Sequence, residues 1–226
     1  MGTIAKNGII YGGSSSSFAP TKISELENDS GFIDVEEATN LINESIDNLE
    51  ENISNPNLLD NPDFRINQRG LSEYIGEQYT VDRWRAVNNT AVRIFENYIE
   101  IEQMGATQAS FLQHIENIAD LRGKVVTFSA MARGDGINAP KLQFHNPDGD
   151  DKYAYGMPST DWQFLSLTTT IADSATSTLH FPRIYASINN TNKPKIAVKW
   201  MKLELGDKAT PFVPPNSTIE LLKCRK

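Results

Sequence analysis

The stretch KVVTFSAMAR, residues 124–133, alternates apolar and other side chains along its length. Val126, Phe128, Ala130 and Ala132 occupy every second position, and the positions between them carry Thr, Ser and Met. A period of two is the pattern of a β-strand with one buried face, because successive side chains of a strand point to opposite sides of the sheet. The stretch therefore predicts a strand that covers a hydrophobic core.

Similar segments lie on both sides of this strand, and turn residues separate them. They are rich in β-branched and aromatic side chains and have no helical crossovers between them, so we expect the strands to pair antiparallel. In the last segment the apolar set shifts between Trp200 and Met201, which predicts a β-bulge or a strand buried on both faces. About eight such strands predict a mainly β, antiparallel jelly-roll β-sandwich head. The predicted strands are residues 79–87, 91–95, 98–103, 124–133, 141–145, 162–171, 176–185 and 196–205.

The composition of the 226-residue chain argues against several classes of protein. A formal net charge of −8 argues against nucleic acid as a partner, because Lys and Arg supply most of the affinity for phosphate. The one cysteine, Cys224, cannot form an intrachain disulfide, which fits synthesis in a bacterial cytoplasm. The apolar run at residues 9–11 is too short for a signal peptide or a membrane span. We therefore expect neither nucleic-acid binding nor membrane insertion.

Residues 1–22 form a polar leader that is rich in Gly and Ser. Within it, residues 3–11 predict a small hairpin that turns at Asn7-Gly8, a dipeptide that a type I′ turn prefers. A two-stranded hairpin is marginally stable alone, so we expect this one to dock on sister chains or on a particle surface. Residues 12–17 have the composition of a flexible linker, and residues 23–33 form a second connecting segment, or collar.

The sequence between Asp34 and Ser54 changes to the pattern of a helix. Asp34 followed by Glu37 forms a capping box, and Pro56 ends the run. Apolar side chains recur at alternating intervals of about four and three residues, which is the spacing of a coiled-coil seam. An amphipathic helix that lies on its own head is the alternative interpretation. The predicted stalk covers residues 34–56, and its seam consists of Val35, Thr39, Ile42, Ile46, Leu49 and Ile53.

The part of the chain after the predicted stalk contains three distinctive segments: NLLDNPDF at 57–64, YTVDRW at 79–84 and LELGDKATPF at 203–212. In this order they resemble the signatures of phage tail-fibre jelly-roll domains. These domains are similar in turn to carbohydrate-binding modules of the galactose-binding-like class. The resemblance defines a head at residues 57–216 and leaves residues 217–226 as a C-terminal tail. Upstream, the Lys6-Asn7-Gly8 tripeptide and the stretch ISELENDSGF, residues 23–32, resemble leader and collar segments of phage and prophage structural proteins.

The resemblance implies a structural, non-enzymatic component of a phage virion. Such fibres are usually homotrimers that attach to other virion proteins at the N-terminal end and present distal heads, which can touch carbohydrate on the host surface. A decorating fibre of the capsid or baseplate without a glycan ligand is the open alternative, and the sequence does not separate tail from capsid attachment. In carbohydrate modules, the Phe that ends the first of these segments is commonly followed by an acidic residue, which is associated with a structural calcium. Here Arg65 follows Phe64. No metal or other cofactor is therefore carried over.

The sequence carries no catalytic signature. His114, His145 and His180 are scattered, and no HExxH, GxSxG, Walker glycine loop or CxxC motif occurs. A polysaccharide hydrolase is the distant alternative, because the spatial separation of two carboxylates cannot be read from a sequence. The loop at residues 146–151 gathers Asp residues around a Gly, which suits calcium or a solvated turn. The turn is the simpler interpretation, because no acidic ligand follows at EF-hand spacing.

Sugar recognition needs flat apolar faces for the C–H side of a pyranose and planar polar groups for its hydroxyls. Trp84 lies inside a strand pattern, so core packing is the stronger interpretation of that side chain. The other aromatic candidates flank a stretch rich in Gly, Pro and Asp, where we expect exposure, with a structural role as the open alternative. The aromatic candidates are Tyr153, Tyr155, Trp162 and Trp84, and the polar candidates are Arg83, His145 and Asp148.

Overall fold

The computed structural model describes residues 34–105, 109–148, 151–186 and 193–225, together with the strand backbone at residues 5–6 and 9–10. The chain divides into two units, residues 1–48 and 49–226. Four predicted features lie outside the described residues: the Asn7-Gly8 turn, the linker at 12–17, the connecting segment at 23–33 and Asp150 of the calcium loop. No helix in the described ranges combines the length and the apolarity that crossing a membrane requires.

The first unit contains a short strand pair and most of a helix. Strands β1 (Ala5–Lys6) and β2 (Ile9–Ile10) pair antiparallel, as the predicted hairpin requires. Helix α1 (Val35–Asn52) begins after Asp34, whose Oδ1 accepts the backbone N–H of Glu37 at 2.7 Å. This side chain satisfies one of the N–H groups that the first turn of a helix leaves free. The predicted helix and its N-terminal cap are therefore confirmed.

The apolar stripe of α1 is exposed in the single chain. Val35 is 85% exposed and Ile42 is 59% exposed. Because the stripe follows the helical repeat, all of its members can be covered by one elongated partner. The coiled coil itself stays a prediction. The remaining exposed members of the predicted seam are Thr39, Ile46, Leu49 and Ile53.

The second unit consists mainly of β-strands, with a short 3-10 helix at Ile118–Leu121 and a C-terminal helix, α2 (Ser217–Cys224). Its described strands are β3 (Glu73–Ile75), β4 (Gln78–Tyr79), β5 (Arg85–Val87), β6 (Thr90–Ile94), β7 (Ile99–Gln103), β8 (Ser110–Leu112), β9 (Val125–Arg133), β10 (Pro140–His145), β11 (Lys152–Tyr155), β12 (Gln163–Thr170), β13 (Phe181–Ala186) and β14 (Lys195–Leu205).

These strands form two antiparallel sheets that enclose one core. Sheet I has the strand order β11-β10-β13-β8-β5-β4, and sheet II has the order β12-β9-β14-β7-β6-β3. Leu142 and Ile184 of sheet I and Phe128 and Leu165 of sheet II belong to a single cluster of buried apolar residues. Because side chains alternate along a strand, the residues between them lie on the outer faces. The predicted mainly β sandwich is confirmed.

Trp84 is fully buried in an aromatic cluster. Its ring stacks on Phe111 with the centroids 5.1 Å apart, and Phe64 meets it edge-on at 5.3 Å. Its Nε1 donates to the carbonyl oxygen of Asn61 at 2.8 Å, so the polar atom of the indole has a partner in the core. Asn61, Phe64 and Arg83 have φ values of 49°, 63° and 74°, which mark the tight turns that bring the NLLDNPDF and YTVDRW segments together.

A buried ion pair fixes the LELGDKATPF segment. Nζ of Lys202 lies 3.1 Å from Oε2 of Glu204, and the two side chains are 1% and 0% exposed. Nζ also donates to Oγ of Ser54 and to the carbonyl oxygen of Pro211, both at 3.0 Å. Glu204 accepts the backbone N–H of Thr210 at 2.9 Å. We call these five residues the closing clasp, because they join the start of the second unit to its last strand and to the segment that follows.

The sequence predicts residues 217–226 as a tail, but most of them form α2. This helix packs on the NLLDNPDF segment at residues 57–64, which we call the opening segment. Glu220 is 3% exposed, and its Oε2 accepts the backbone N–H of Asn61 at 2.7 Å. Cys224 is also buried. Burial, followed by the negative charge of the nearby Asp82, raises the pKa of the Cys224 thiol to about 11.

Turns shorten two of the predicted strands. In residues 79–87, the N–H of Thr80 donates to the carbonyl oxygen of Trp84 at 2.9 Å, and this turn separates β4 from β5. In residues 176–185, the N–H of His180 donates to the carbonyl oxygen of Thr176 at 3.0 Å, so that β13 begins only at residue 181. Both segments have strand-like composition, but local hydrogen bonds compete with the sheet for their backbone groups.

Three strands of the second unit were not predicted: β3, β8 and β11. Their lengths are three, three and four residues, which is too short for an alternating pattern to stand out. The bulge predicted in the last strand is confirmed, because the register of β14 against β9 shifts between Val198 and Trp200. The remaining predicted strands correspond to β6, β7, β9, β10, β12 and β14 with small shifts at their ends.

Removal of one charge from the closing clasp should destabilise the head strongly. Lys202→Met leaves Glu204 buried without its cation, and we expect a loss of about 3–5 kcal/mol in the free energy of unfolding. Glu204→Leu should cause a similar loss, whereas the double variant should lose less than the sum, because no unpaired charge stays buried. Urea unfolding measures all three values. Additive losses would contradict the coupling of the two side chains.

Candidate functional site

Sheet I presents a row of polar and aromatic side chains on its outer face. Leu142 and Phe144 of β10 point into the core, so Lys141 and Gln143 must point outward. The antiparallel register sets each of these two residues between one residue of β11 and one of β13. Asp151 precedes β11 and adds a carboxylate. We call the group the sheet I site, and its members are Lys141, Gln143, Asp151, Tyr153, Tyr155, Arg183 and Tyr185.

The ammonium group of Lys141 is surrounded by three tyrosine rings. Nζ lies 4.1, 4.6 and 5.1 Å from the ring centroids of Tyr153, Tyr155 and Tyr185. Partial burial lowers the pKa of Lys141, but the hydroxyl groups of Tyr185 and Tyr155 outweigh burial and raise the pKa on balance. Lys141 is therefore charged at neutral pH and holds the rings by cation–π attraction.

A row of hydrogen bonds runs beside the rings. Nε of Arg183 donates to Oε1 of Gln143 at 2.6 Å. Nε2 of Gln143 donates to Oδ2 of Asp151 at 2.7 Å and lies 3.2 Å from the hydroxyl of Tyr153. The guanidinium, amide and carboxylate groups are thus held in fixed positions along one side of the aromatic surface. Groups that are positioned in advance lose little conformational entropy when a ligand binds.

Asp151 anchors this row to the loop before β11. Its Oδ1 accepts the backbone N–H of Asn146 at 2.7 Å and lies 3.2 Å from Nδ1 of His145. Burial raises the pKa of the Asp151 carboxyl, but the Asn146 N–H, the charge of His145 and the hydroxyl of Tyr153 together outweigh it and lower the pKa. Asp151 is therefore ionised at neutral pH and accepts hydrogen bonds only.

The three tyrosines differ in exposure. Tyr155 is 66% exposed and Tyr153 is 40% exposed, whereas Tyr185 is only 4% exposed beneath Lys141 and Arg183. The rings of Tyr153 and Tyr155 lie 6.1 Å apart with 29° between their planes. The site therefore offers two open, nearly parallel rings beside fixed polar groups. Such a surface can pack against the apolar face of a ring-shaped ligand and bind the hydroxyls at its edge.

Three of the predicted ligand residues lie together. Tyr153 and Tyr155 belong to the sheet I site, and His145 lies at its border through the contact with Asp151. The ring of His145 also packs against Phe181 with the centroids 5.1 Å apart.

Three other predicted residues have different partners. Trp84 is a core residue, and the structure corrects its candidacy as a ligand contact, because no part of a fully buried ring can reach a ligand on the surface. Nε of Arg83 lies 3.1 Å from a carboxylate oxygen of Asp60 and supports the turn before β5. Oδ2 of Asp148 accepts the hydroxyl of Ser174 at 2.8 Å.

Trp162 lies on the other sheet. It precedes β12, whose first residue, Gln163, pairs with Ala132 of β9, so that Trp162 lies beside Arg133. Cζ of Arg133 lies 4.7 Å from the centroid of the Trp162 ring. The structure therefore separates Trp162 from Tyr155, although only a short loop joins them in the sequence.

The loop at residues 146–151, which the sequence offers as a calcium site, does not bring its described carboxylates together. Asp148 accepts a hydrogen bond from Ser174, whereas Asp151 accepts one from Gln143 of the sheet I site. Within the described ranges, no group of three or more His, Cys, Asp or Glu side chains is placed to hold a metal ion.

Sequence reasoning missed five members of the sheet I site as ligand residues: Lys141, Gln143, Asp151, Arg183 and Tyr185. Lys141 and Gln143 lie in a correctly predicted strand, and its alternation already places them on the outer face. Their meeting with Arg183 and Tyr185 depends on which strands are neighbours and in which register, and one sequence does not contain that information.

No protein-family model matches the chain, and no curated protein matches it in sequence. Among solved structures, the chain is similar to the C-terminal family 22 carbohydrate binding module of Clostridium thermocellum Xyn10B, with 13% identity, a TM-score of 0.47, and coverage of 68% of this chain and 96% of that one. A family 4 carbohydrate binding module gives 18% identity, a TM-score of 0.41, and coverage of 65% and 99%. The enzymatically active domain of bacteriophage CBA120 tailspike protein 4 gives 13%, 0.38, and coverage of 66% and 21%. Likenesses of this size concern the sandwich fold alone.

Replacement of Asp151 by Asn should destabilise the head in a pH-dependent way. The variant cannot accept all of the hydrogen bonds from Asn146, Gln143 and Tyr153, and we expect a loss of about 1–2 kcal/mol at pH 7. Because the folded-state pKa of Asp151 is lowered, its contribution is complete above the unfolded-state value, about 4, and disappears as the pH falls through the folded-state value.

Thermal unfolding of the wild type and the Asp151→Asn variant between about pH 2.5 and pH 7 measures this effect, and the two curves should converge at the acidic end. Asp173→Asn, at an exposed position, is the matched control. A constant difference across the pH range would contradict the assignment.

Proposed function

We propose that the chain is a non-enzymatic structural protein of a phage virion, a trimeric fibre whose jelly-roll head binds carbohydrate on the host surface through the sheet I site. One observation carries the carbohydrate proposal: Lys141 holds the exposed rings of Tyr153 and Tyr155 beside a fixed row of planar hydrogen-bonding groups. The fibre proposal is supported by the three phage-like sequence segments and by the exposed stripe of α1.

The sheet I site has the two chemical features that a pyranose requires. The C–H face of the sugar can pack on Tyr155 and Tyr153, which together offer a flat apolar surface. The hydroxyls can then bind to Arg183 and Asp151, which lie along one side of the rings. Gln143 is buried beneath them and holds both groups in place through its amide. Both rings are exposed on the outer face of sheet I, so that an internal segment of a long glycan chain can bind as well as its end.

The proposal that the head is not an enzyme has its own support. Glycoside hydrolysis generally uses two carboxylates that flank the bond to be broken. Asp151 is the one carboxylate among the described side chains of the sheet I site, and its ionised state makes it an acceptor and not a proton donor.

Trimer formation would account for the stripe on α1. Burial of each Val, Ile or Leu side chain is worth about 1.5–3 kcal/mol, and in the single chain these side chains face water. Parallel pairing would hold the leaders at one end, for attachment to other virion proteins, and present three heads together. Weak contacts of single heads with glycan would then add through multivalency.

Loss of either exposed ring should weaken glycan binding without unfolding the head. We expect Tyr155→Ala and Tyr153→Ala each to weaken binding to host cells or to a glycan array by about tenfold, because each removes about 1–2 kcal/mol of ring packing. The melting temperature should change by only a few degrees. Tyr79→Ala is the matched control, since Tyr79 is a similarly exposed tyrosine of β4, at the opposite edge of sheet I.

Two results would count against the carbohydrate proposal. Wild-type protein that shows no saturable binding to any glycan or host cell would favour a decorating fibre without a sugar ligand. Equal losses of binding in the Tyr79 variant would show that the effect is not specific to the sheet I site.

Disruption of the α1 stripe should dissociate the oligomer. Light scattering should give the wild type a mass of about three times 25.2 kDa. The triple variant Ile42→Asp, Ile46→Asp, Leu49→Asp should give the monomer mass, because charges cannot stay buried in an apolar seam. Asn40→Asp with Leu41→Asp adds charge to the same helix outside the seam and should leave the mass unchanged. A monomeric wild type, or a triple variant that keeps its full mass, would refute the proposal.

A further inference from the structure

A second group of aromatic and cationic side chains lies on the outer face of sheet II. Trp162 precedes β12, Tyr98 precedes β7, and Arg133 is the last residue of β9. Lys199 lies at the bulge of β14, and a bulge commonly redirects a side chain. We call the group the sheet II cluster, and its members are Phe95, Tyr98, Arg133, Trp162 and Lys199.

The rings of the cluster hold its two cations. Cζ of Arg133 lies 4.7 Å from the ring centroid of Trp162 and 5.3 Å from that of Tyr98. Nζ of Lys199 lies 4.4 Å from the centroid of Trp162. The ring of Tyr98 meets Trp162 edge-on at 5.8 Å and stacks on Phe95 at 4.6 Å. A guanidinium and an ammonium group therefore both lie within 5 Å of the centroid of the Trp162 ring.

Among the side chains that the structure describes, these two cations lack a carboxylate partner. Within the described ranges, neither Arg133 nor Lys199 forms an ion pair. Two carboxylates are near in the sequence, because Glu96 follows Phe95 and Asp161 precedes Trp162. In a chain with a net charge of −8, two cations that contact one ring and have no counter-charge among the described side chains form a local positive patch.

Other cations on the same face of sheet II are paired. Arg93 lies 2.8 Å from Glu73 and 3.0 Å from Glu100, and Lys195 lies 3.7 Å from Glu100. The charges of Arg93 and Lys195 are therefore neutralised by carboxylates of the same sheet. The contrast singles out Arg133 and Lys199 as groups that are available to an external anion.

We propose that the sheet II cluster is a second binding site, for a saccharide that carries a carboxylate. Arg133 and Lys199 bind the carboxylate, and Trp162 fixes both cations in place. Phe95, which is 43% exposed, receives the apolar face of the adjoining sugar. Arg133 has the planar donor geometry that matches a carboxylate. This proposal does not depend on the sheet I site, because the two groups share no residue and lie on different sheets.

Titration calorimetry of the full chain with three uronate polymers tests the proposal. The probes are polygalacturonate, alginate and hyaluronan, each compared with its methyl-esterified form, which has the same backbone without the charge. Wild-type protein should bind at least one acidic polymer, and esterification should weaken binding about tenfold or more. Added salt should weaken it too, because the cations are partly exposed.

Variants assign the binding to the cluster. Arg133→Gln and Lys199→Gln should each reduce affinity for the acidic polymer about tenfold, and Trp162→Ala should do the same by releasing both cations. Lys195→Gln removes a paired cation of the same sheet and should leave the affinity unchanged. Tyr79→Ala, at an exposed tyrosine outside both sites, should also leave it unchanged. Tyr155→Ala is measured alongside to report the share of binding that the sheet I site contributes. Melting temperatures identify any variant that fails to fold, and the two Gln variants change only side-chain ends.

Three outcomes would overturn the proposal. The first is wild-type protein that binds none of the three acidic polymers. The second is an equal loss of affinity in the Lys195→Gln control, which would show a general charge effect. The third is a loss in Tyr155→Ala with none in Arg133→Gln and Lys199→Gln, which would move acidic-polymer binding to the sheet I site.

Discussion

The register of β10 against its two neighbours is the constraint from which the sheet I site follows. Leu142 lies opposite Ala154 on one side and Ile184 on the other, and all three point into the core. Lys141 and Gln143 are then forced outward, because successive side chains alternate. A shift of the register by one residue would bury Lys141 and expose Leu142. The buried ammonium group would then lose its hydration free energy. The free energy of the core therefore sets the geometry of the surface.

The three phage-like segments meet each other in the fold and do not enter the sheet I site. The N–H of Leu58 donates to the carbonyl oxygen of Leu203 at 2.7 Å, and the N–H of Met201 donates to that of Pro62 at 2.9 Å. Trp84 of the second segment packs in the core against Phe64 of the first and donates to the carbonyl oxygen of Asn61. These residues maintain the sandwich, so that a resemblance based on them predicts the fold well and the ligand poorly. The side chains of the sheet I site come instead from β10, β11 and β13 and from Asp151, which precedes β11.

The sequence predicts what depends on one strand or helix and misses what depends on pairing. The alternation in β9, the cap of α1 and the bulge of β14 are local patterns, and the structure agrees with each. Tyr153 and Tyr155 were found because they flank turn residues, whereas Arg183 was missed because only the register with β10 brings it beside Gln143. Trp162 was grouped with the tyrosines for its nearness in sequence, but the chain passes from sheet I to sheet II between Tyr155 and Trp162.

The docking of α2 also gives the protein an internal reporter. A thiol is reactive as its thiolate, and a Cys224 pKa of about 11 leaves almost none of that form at neutral pH. The closed state of α2 should therefore be inert towards maleimides and air oxidation, and should form no disulfide between chains. Displacement of the helix from the opening segment removes the burial that raises the pKa, so that the rate of alkylation at Cys224 measures how often α2 opens.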